Sequence, residues 1–257
     1  MLKGLYTAAS GMLSIAMATD SMANNLANVN TVGFKGSDAN FKMFSEMFMK
    51  RLDGSGKSDI GSIALGSQLH STFVDFTAGS FRETGNPLDL AIHGDGFFQV
   101  RSAADNQLYL TKAGNFTIDQ EGFLVTATGD YVQGEDGNIQ VAQPGQGGEI
   151  VISTNGTVTV GNNTVDRIAL KYYENNQALE KVSDALYRET SGSLAIDVPA
   201  NESSLIQQGE LEGSNINAIS ELVNNIQGMR LYEALQRNIR THNETLGKAV
   251  NEVGQSR

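Results

Sequence analysis

The chain has no cysteine, no tryptophan and only three prolines in 257 residues. Without cysteine there is no disulfide framework and no thiolate metal site. Few prolines beside 28 glycines suit a turn-rich β protein carrying helices. A run of lysines and arginines is also missing, and the net charge is −11. That balance lacks the basic patch of a nucleic-acid binder and the polybasic segment of a membrane anchor. No stretch is long and apolar enough to span a bilayer, so no membrane insertion is expected. Hydrophobic residues still make up 40% of the chain, which argues against bulk disorder. The length suffices for one large domain or two small ones.

Charge is scarce at the N-terminus in particular. Across residues 1–34 only Lys3 and Asp20 are charged. Leu2, Leu5, Ala9, Met12, Ala16, Thr19, Ala23 and Leu26 keep a 3-4 spacing over almost four heptads. This predicts a helix over 2–29, about 42 Å long. The opposite face, with Lys3, Gly4, Thr7, Ser10, Gly11, Ser14, Met17, Ala18, Ser21, Asn24, Asn25 and Asn28, carries one charge and is otherwise mostly small, hydroxylated or amidic. An exposed helix face normally carries Lys and Glu, so this one suits packing against more protein.

The C-terminus repeats the pattern. From Ile219 the apolar positions are Leu222, Ile226, Met229, Tyr232, Leu235, Ile239, Leu246, Ala249 and Val253, with His242 in one seam position. Successive threes between Met229 and Leu235 mark a stammer. Gly213-Ser214-Asn215 reads as a stop and cap, with Ser214 or Asn215 as N-cap. Single a/d helices are marginal alone, so the two ends are expected to partner each other with the middle looped out. Packing of both helices on a globular core is the alternative.

From Phe73 onward the period becomes two and turn signals are dense. Strands are predicted at 88–93, 96–101, 107–111, 115–118, 123–126, 150–154, 157–160, 165–173 and 193–198. Asn155-Gly156 between two β-rich runs predicts a type I′ hairpin. Residues 174–191 read as a loop or an extra strand. Residues 36–80 read as a connector: Phe41, Phe44 and Phe48 continue helically, and the Gly/Ser-rich stretch 53–62 is expected to be flexible. The fold class is α+β, with terminal helices in a coiled-coil module and a central antiparallel β domain. The domain boundaries fall at 1–35, 36–80, 81–212 and 213–257.

Nothing here assembles a catalytic or cofactor site. His70, His93 and His242 are far apart, with no i,i+4 pair. Asp89, His93 and Asp95 contain an acid, a base and an orienting carboxylate, but the Gly94-Asp95-Gly96 turn makes His93 a strand-end residue. Asp119-Gln-Glu-Gly122 lacks calcium-loop spacing, and Gly145-Gln-Gly-Gly148 lacks both Rossmann spacing and a phosphate-loop lysine. No enzyme, no metal and no cofactor are expected.

Four ordered motifs carry a resemblance. Leu5-Tyr-Thr-Ala-Ala-Ser-Gly-Met12, followed by Asn25-Leu-Ala-Asn-Val-Asn-Thr-Val-Gly-Phe-Lys35, resembles the N-terminal signature of bacterial flagellar rod and hook proteins. Thr84-Gly-Asn-Pro-Leu-Asp-Leu-Ala-Ile-His-Gly-Asp-Gly-Phe-Phe98 is similar to that family's central motif, and Leu110–Asp119 with Gly122–Val125 to the segment after it. Gly209-Glu-Leu-Glu-Gly-Ser-Asn-Ile-Asn217 and Arg230-Leu-Tyr-Glu233 resemble its C-terminal signature. The opening Leu2–Tyr6 and the ending Leu246–Gly254 look more like the proximal rod type than the distal one. Ser14–Thr19, Gly228-Met229 and Gly36-Ser37 depart from the usual pattern.

The resemblance implies a tubular rod crossing the periplasm, with helices inside and β domains outside. Partners would be further copies, other rod proteins and the flagellar type III export apparatus. Lys3, the apolar run and Ala16-Met17-Ala18 mimic a signal peptide, but the heptads run through the cleavage point, so an uncleaved N-terminus is expected. A secreted glycan-binding or glycan-cleaving β domain on a helical stalk is the competing class. In a rod, the expected subunit-interface residues are Leu5, Met12, Leu26, Phe34, Ile226, Met229, Tyr232, Ile239 and Leu246, with Asn24, Asn25, Asn28 and Asn30. Amides donate and accept across an interface without burying charge. The plainer reading has the asparagines capping the helix end near Gly33.

Overall fold

The computed structural model describes residues 2–43, 47–53, 56–63, 67–141, 148–173, 175–190, 195–196 and 204–251. Phe44, the Gly145–Gly147 segment and Val253 lie outside them. Two helices bracket a central antiparallel β region, so the class is α+β. The chain divides into two compact units. One holds Met1–Leu26, Ser37–Phe73 and Asn217–Arg257; the other holds Ala27–Gly36 and Val74–Ile216.

In the first unit, α1 (Leu2–Ala27) and α2 (Ala218–Asn251) run antiparallel. Their contact follows small residues. A Cβ added to Gly4 would meet His242 at 3.5 Å, one on Gly11 would meet Leu235 at 3.2 Å, and one on Gly228 would meet Thr19 at 3.1 Å. Gly4, Gly11 and Thr19 therefore stand on the side of α1 that meets α2, and Ala16 and Asp20 line a groove with Met229 and Tyr232 of α2. Of the expected seams, Thr19, Leu235 and His242 take part in these contacts, Leu5, Met12, Ala16 and Leu26 are half-buried, and Ala9 and Ala23 are exposed. Glycine leaves room for a partner's side chain, so Gly4, Gly11 and Gly228 add to the helix pairing without appearing in an apolar pattern.

The cap of α2 also differs from expectation. Asn217 Oδ1 accepts the Ile219 and Ser220 amides at 3.0 and 3.2 Å, which makes Asn217 the N-cap. Residues 41–50 are not helical where described: Ser37–Met43 pairs with Ser67–Val74, and Met47–Asp53 pairs with Gly56–Ile63. Phenylalanine and methionine favour strands, and the glycine-rich stretch supplies a pairing partner for the second of these. A spacing of three or four among aromatics could not distinguish the two states.

The second unit carries a nine-stranded antiparallel sheet among its described residues. Its longest strand, Phe97–Arg101, pairs with Leu108–Thr111 on one side, and with Tyr131–Val132 and Leu170–Tyr173 on the other. Successive side chains point to opposite faces, so adjacent Phe97 and Phe98 enter different cores. Phe98 and Val100 join Leu90, Ile92, Phe116, Val132, Ile168 and Ile206. Phe97 joins Val74, Leu110, Tyr173, Leu179 and Tyr187. Residues 174–191 contain a hairpin, Leu179–Lys181 with Leu186–Glu189. The predicted strand 165–173 is two strands, Asn163–Arg167 and Leu170–Tyr173.

The Asn155-Gly156 hairpin exists, but Asn155 keeps a negative φ and only Gly156, at +86°, is left-handed. Ser153 N donates to Thr157 O and Gly156 N to Ser153 O, a type I turn closed by a bulge rather than type I′.

Candidate functional site

Three of the four sequence motifs meet at one junction inside the second unit. Helix α1 ends at Ala27, and residues 28–33 form turns. Thr31 N donates to Asn28 O, and Thr31 Oγ1 to Asn28 Oδ1 at 3.0 Å. Gly33 has φ +66°, and a Cβ there would collide with the backbone nitrogen of Ala113. Only glycine combines that dihedral with that approach. Phe34 and Lys35 follow, both with no exposed surface.

Lys35 Nζ donates to Glu212 Oε1 at 2.6 Å and to Thr77 O at 2.7 Å. The same carboxylate oxygen accepts the Gly79 amide at 3.0 Å. Asn215 completes the stitching: its Oδ1 accepts Gly36 N at 2.9 Å, and its Nδ2 donates to Asp75 O at 2.8 Å and Thr77 Oγ1 at 3.2 Å. One amide thus ties segments about 140 and 179 positions away in the chain, using both of its polar ends.

Two more lysines surround the pair. Lys112 Nζ donates to Gly94 O at 2.6 Å and stands over the Phe97 ring. Burial pushes its ammonium down to about 8; Glu212 opposes that shift, and Lys35 adds to it. Lys181 Nζ donates to Lys35 O at 3.0 Å and lies 3.9 Å from the Phe34 ring centroid. Burial lowers it to about 8 as well, against the pull of Asp184. Burial raises the Tyr187 phenol. With Lys35 and Glu212 fully buried and bonded to Thr77 O and Gly79 N, this cluster reads as a structural clamp.

The exposed chemistry lies elsewhere. In the first unit, Ile219, Leu222, Val223, Ile226 and Met229 of α2 are all exposed, Ile219 by 75%, and Ile219, Val223 and Ile226 fall on the side away from Gly228, Leu235 and His242. On α1, Tyr6, Leu13 and Met17 are exposed as well. A groove of about 320 Å³ between the helices is lined by Ala16, Thr19, Asp20, Met229, Tyr232 and Glu233.

The expected interface residues are distributed unevenly. Ile226, Met229, Tyr232, Asn24 and Asn30 are exposed. Leu5, Met12, Leu26, Asn28, Ile239 and Leu246 are half-buried. Phe34 is wholly inside the second unit. Asn25, 1% exposed, is used within the first: its Oδ1 accepts Ser37 N at 3.0 Å and its Nδ2 donates to Ser37 O at 3.1 Å. Asn28 Nδ2 donates to Asp184 Oδ1 at 3.2 Å. Sequence reasoning missed Lys35, Glu212 and Asn215 as a unit, although all three stand inside the quoted motifs.

His93 bonds Glu210 Oε2 at 3.0 Å and stacks on Phe81 at 4.0 Å. It occupies the end of strand Leu90–Gly94. Among the described residues no group of three or more His, Cys, Asp or Glu side chains could hold a metal. Among them, too, no helix is long and apolar enough to cross a membrane.

Residues 5–35 match the family described as "Flagella basal body rod protein", and residues 207–252 match "Flagellar basal body rod FlgEFG protein C-terminal". Residues 91–160 match "Flagellar hook protein FlgE/F/G D1 domain". The flagellar basal-body rod protein FlgG of Bacillus subtilis (strain 168) is 32% identical over 267 residues, covering 98% of this chain and 99% of the relative. The chain belongs to the flagellar basal-body rod protein family. FlgF of Caulobacter vibrioides is 32% identical over 97% of each chain, and FlgG of Borreliella burgdorferi is 33% identical over 98% of each. As a rod protein the chain is a structural subunit of the flagellar basal body, not an enzyme. Two of the three matched regions meet in the Lys35–Glu212 ion pair, so the rod-protein signatures encode a clamp as well as helices.

Proposed function

We propose that this rod protein is of the proximal type, polymerising with copies of itself and with other rod proteins into the drive shaft that transmits torque. The observation that carries the assembly part is the exposed apolar side of α2, Ile219 to Met229. Contiguous apolar surface on that scale marks an interaction face. In a helical tube each subunit has heterologous contacts on several sides, so a helix needs an inner partner and outer ones. Tyr6, Leu13 and Met17, exposed on α1, are available to a neighbour's helix, giving the coiled-coil layer inside the rod. Ile226, Met229, Tyr232, Asn24 and Asn30 are the residues expected at subunit contacts.

Delivery is assigned to the flagellar type III export apparatus, with the N-terminus retained. Gly4, Ala8 and Gly11 belong to the face packed on α2, and cleavage after Ala18 would remove them.

The proximal assignment rests on residues 2–6 and 246–254. The distal type is the second reading, because relatives named FlgG and FlgF match at the same identity. Immunogold labelling of purified basal bodies separates them. Label at the inner end of the rod is the expected result, label at its outer end selects the distal type, and absence from the basal body contradicts both.

A further inference from the structure

The second unit has a polar pocket of about 240 Å³, in whose wall Ser214 Oγ accepts the Ile216 amide and Ser80 O the Gly213 amide. Its lining includes Asn30 and Val32 from the N-terminal motif, Ser214 and Ile216 from the C-terminal motif, and Ser80 and Arg82 between them. Arg82 belongs to strand Phe81–Glu83, whose backbone pairs with Glu210–Glu212. Its exposed guanidinium has no hydrogen-bond or ion-pair partner among the described residues. It is the only charged side chain of the lining, in a chain whose net charge is −11.

We propose that this pocket is a docking site for a carboxylate side chain of a neighbouring copy of this chain. The inference rests on the rod-subunit reading and gives one contact of that assembly its chemistry. Arg82 offers a planar fork of donors that matches a carboxylate in two parallel hydrogen bonds. Ser80, Ser214 and Asn30 add neutral donors around it. Val32 and Ile216 give the aliphatic stem of a Glu or Asp a dry wall. An acidic protein has many such side chains to present, and a lone Arg in an open notch selects them over lysines. The motif residues that build the wall have two tasks: Gly33–Lys35 and Glu212 hold the junction together, while their neighbours Asn30, Val32 and Ser214 face the pocket.

The test replaces the chromosomal gene with Arg82→Glu, Arg82→Lys or a deletion, and reads swimming, the yield of rods and the amount of protein exported. Arg82→Glu is expected to weaken each contact about tenfold or more, leaving cells with few rods while export and the monomer's melting temperature stay unchanged. Arg82→Lys, which keeps the charge and loses the fork, is expected to give a rod yield between those of the wild type and Arg82→Glu. Suppressors of Arg82→Glu should change an exposed Asp or Glu of this chain to Lys or Arg. Wild-type rod yield in Arg82→Glu overturns the proposal, and so does a rod defect that tracks a lowered melting temperature. Suppressors confined to another rod protein overturn the choice of partner. If the deletion strain swims normally, the rod reading itself fails, an outcome separate from failure of the pocket.

Discussion

At the scale of single residues, the Lys35–Glu212 pair decides more than any other contact. Removing one member of a buried pair strands the other, whereas replacing both with apolar side chains is often neutral. Lys35→Met is therefore expected to cost about 3–5 kcal/mol, and Lys35→Met with Glu212→Leu to recover only part of it, because Thr77 O and Gly79 N lose their partners too, in denaturant unfolding of the purified protein. Equal loss in the single and the double variant would show that the charges themselves, not their pairing, hold the junction. Lys112 gives a pH signature. Its folded-state pKa, about 8, lies below the unfolded value of 10.5, so the unfolded chain binds more protons between those limits. Stability should therefore rise as pH goes from 8 to 10, by no more than about 3 kcal/mol. Lys112→Met should reduce that slope, leaving the part contributed by Lys181, whose ammonium is also lowered to about 8. The raised Tyr187 phenol works the other way above pH 10, which sets the upper end of the useful window.

At the scale of elements, helices were legible and their faces were not. The 3-4 spacing in α1 and α2 marks two helices, because apolar periodicity survives any choice of partner. Which side meets which partner depends on how near two backbones can come, and Gly4, Gly11 and Gly228 set that distance without contributing to an apolar count. Asn25 illustrates the same limit: its amide looks like an interface group in sequence, yet both of its polar ends are taken by the Ser37 backbone. Strands with local turn chemistry, such as Ile150–Ile152 with Thr157–Val160, could be read directly. Short strands paired over long range, such as Ser204–Gln208 with Leu90–Gly94, could not, since nothing local marks their register. The candidate site was half legible. Ile226, Met229 and Tyr232 stand exposed on α2, whereas the Arg82 pocket needs Asn30 and Ser214 brought together across more than 180 residues of chain.

At the scale of the whole molecule, the two units divide the work. The β unit closes on itself around two apolar cores and a buried ionic junction. The helical unit leaves Ile219, Leu222, Val223, Ile226 and Met229 on the surface. A protein that ended its life as a monomer would be expected to carry charge there; in the proposed assembly neighbouring subunits cover that surface. The direct test is the double substitution Ile226→Glu with Met229→Glu, expressed in place of the wild type, with rods counted in purified basal bodies. The account predicts exported, folded protein and almost no rods, because each new carboxylate would be buried unpaired at every subunit contact. Swimming cells with a normal number of rods would contradict it.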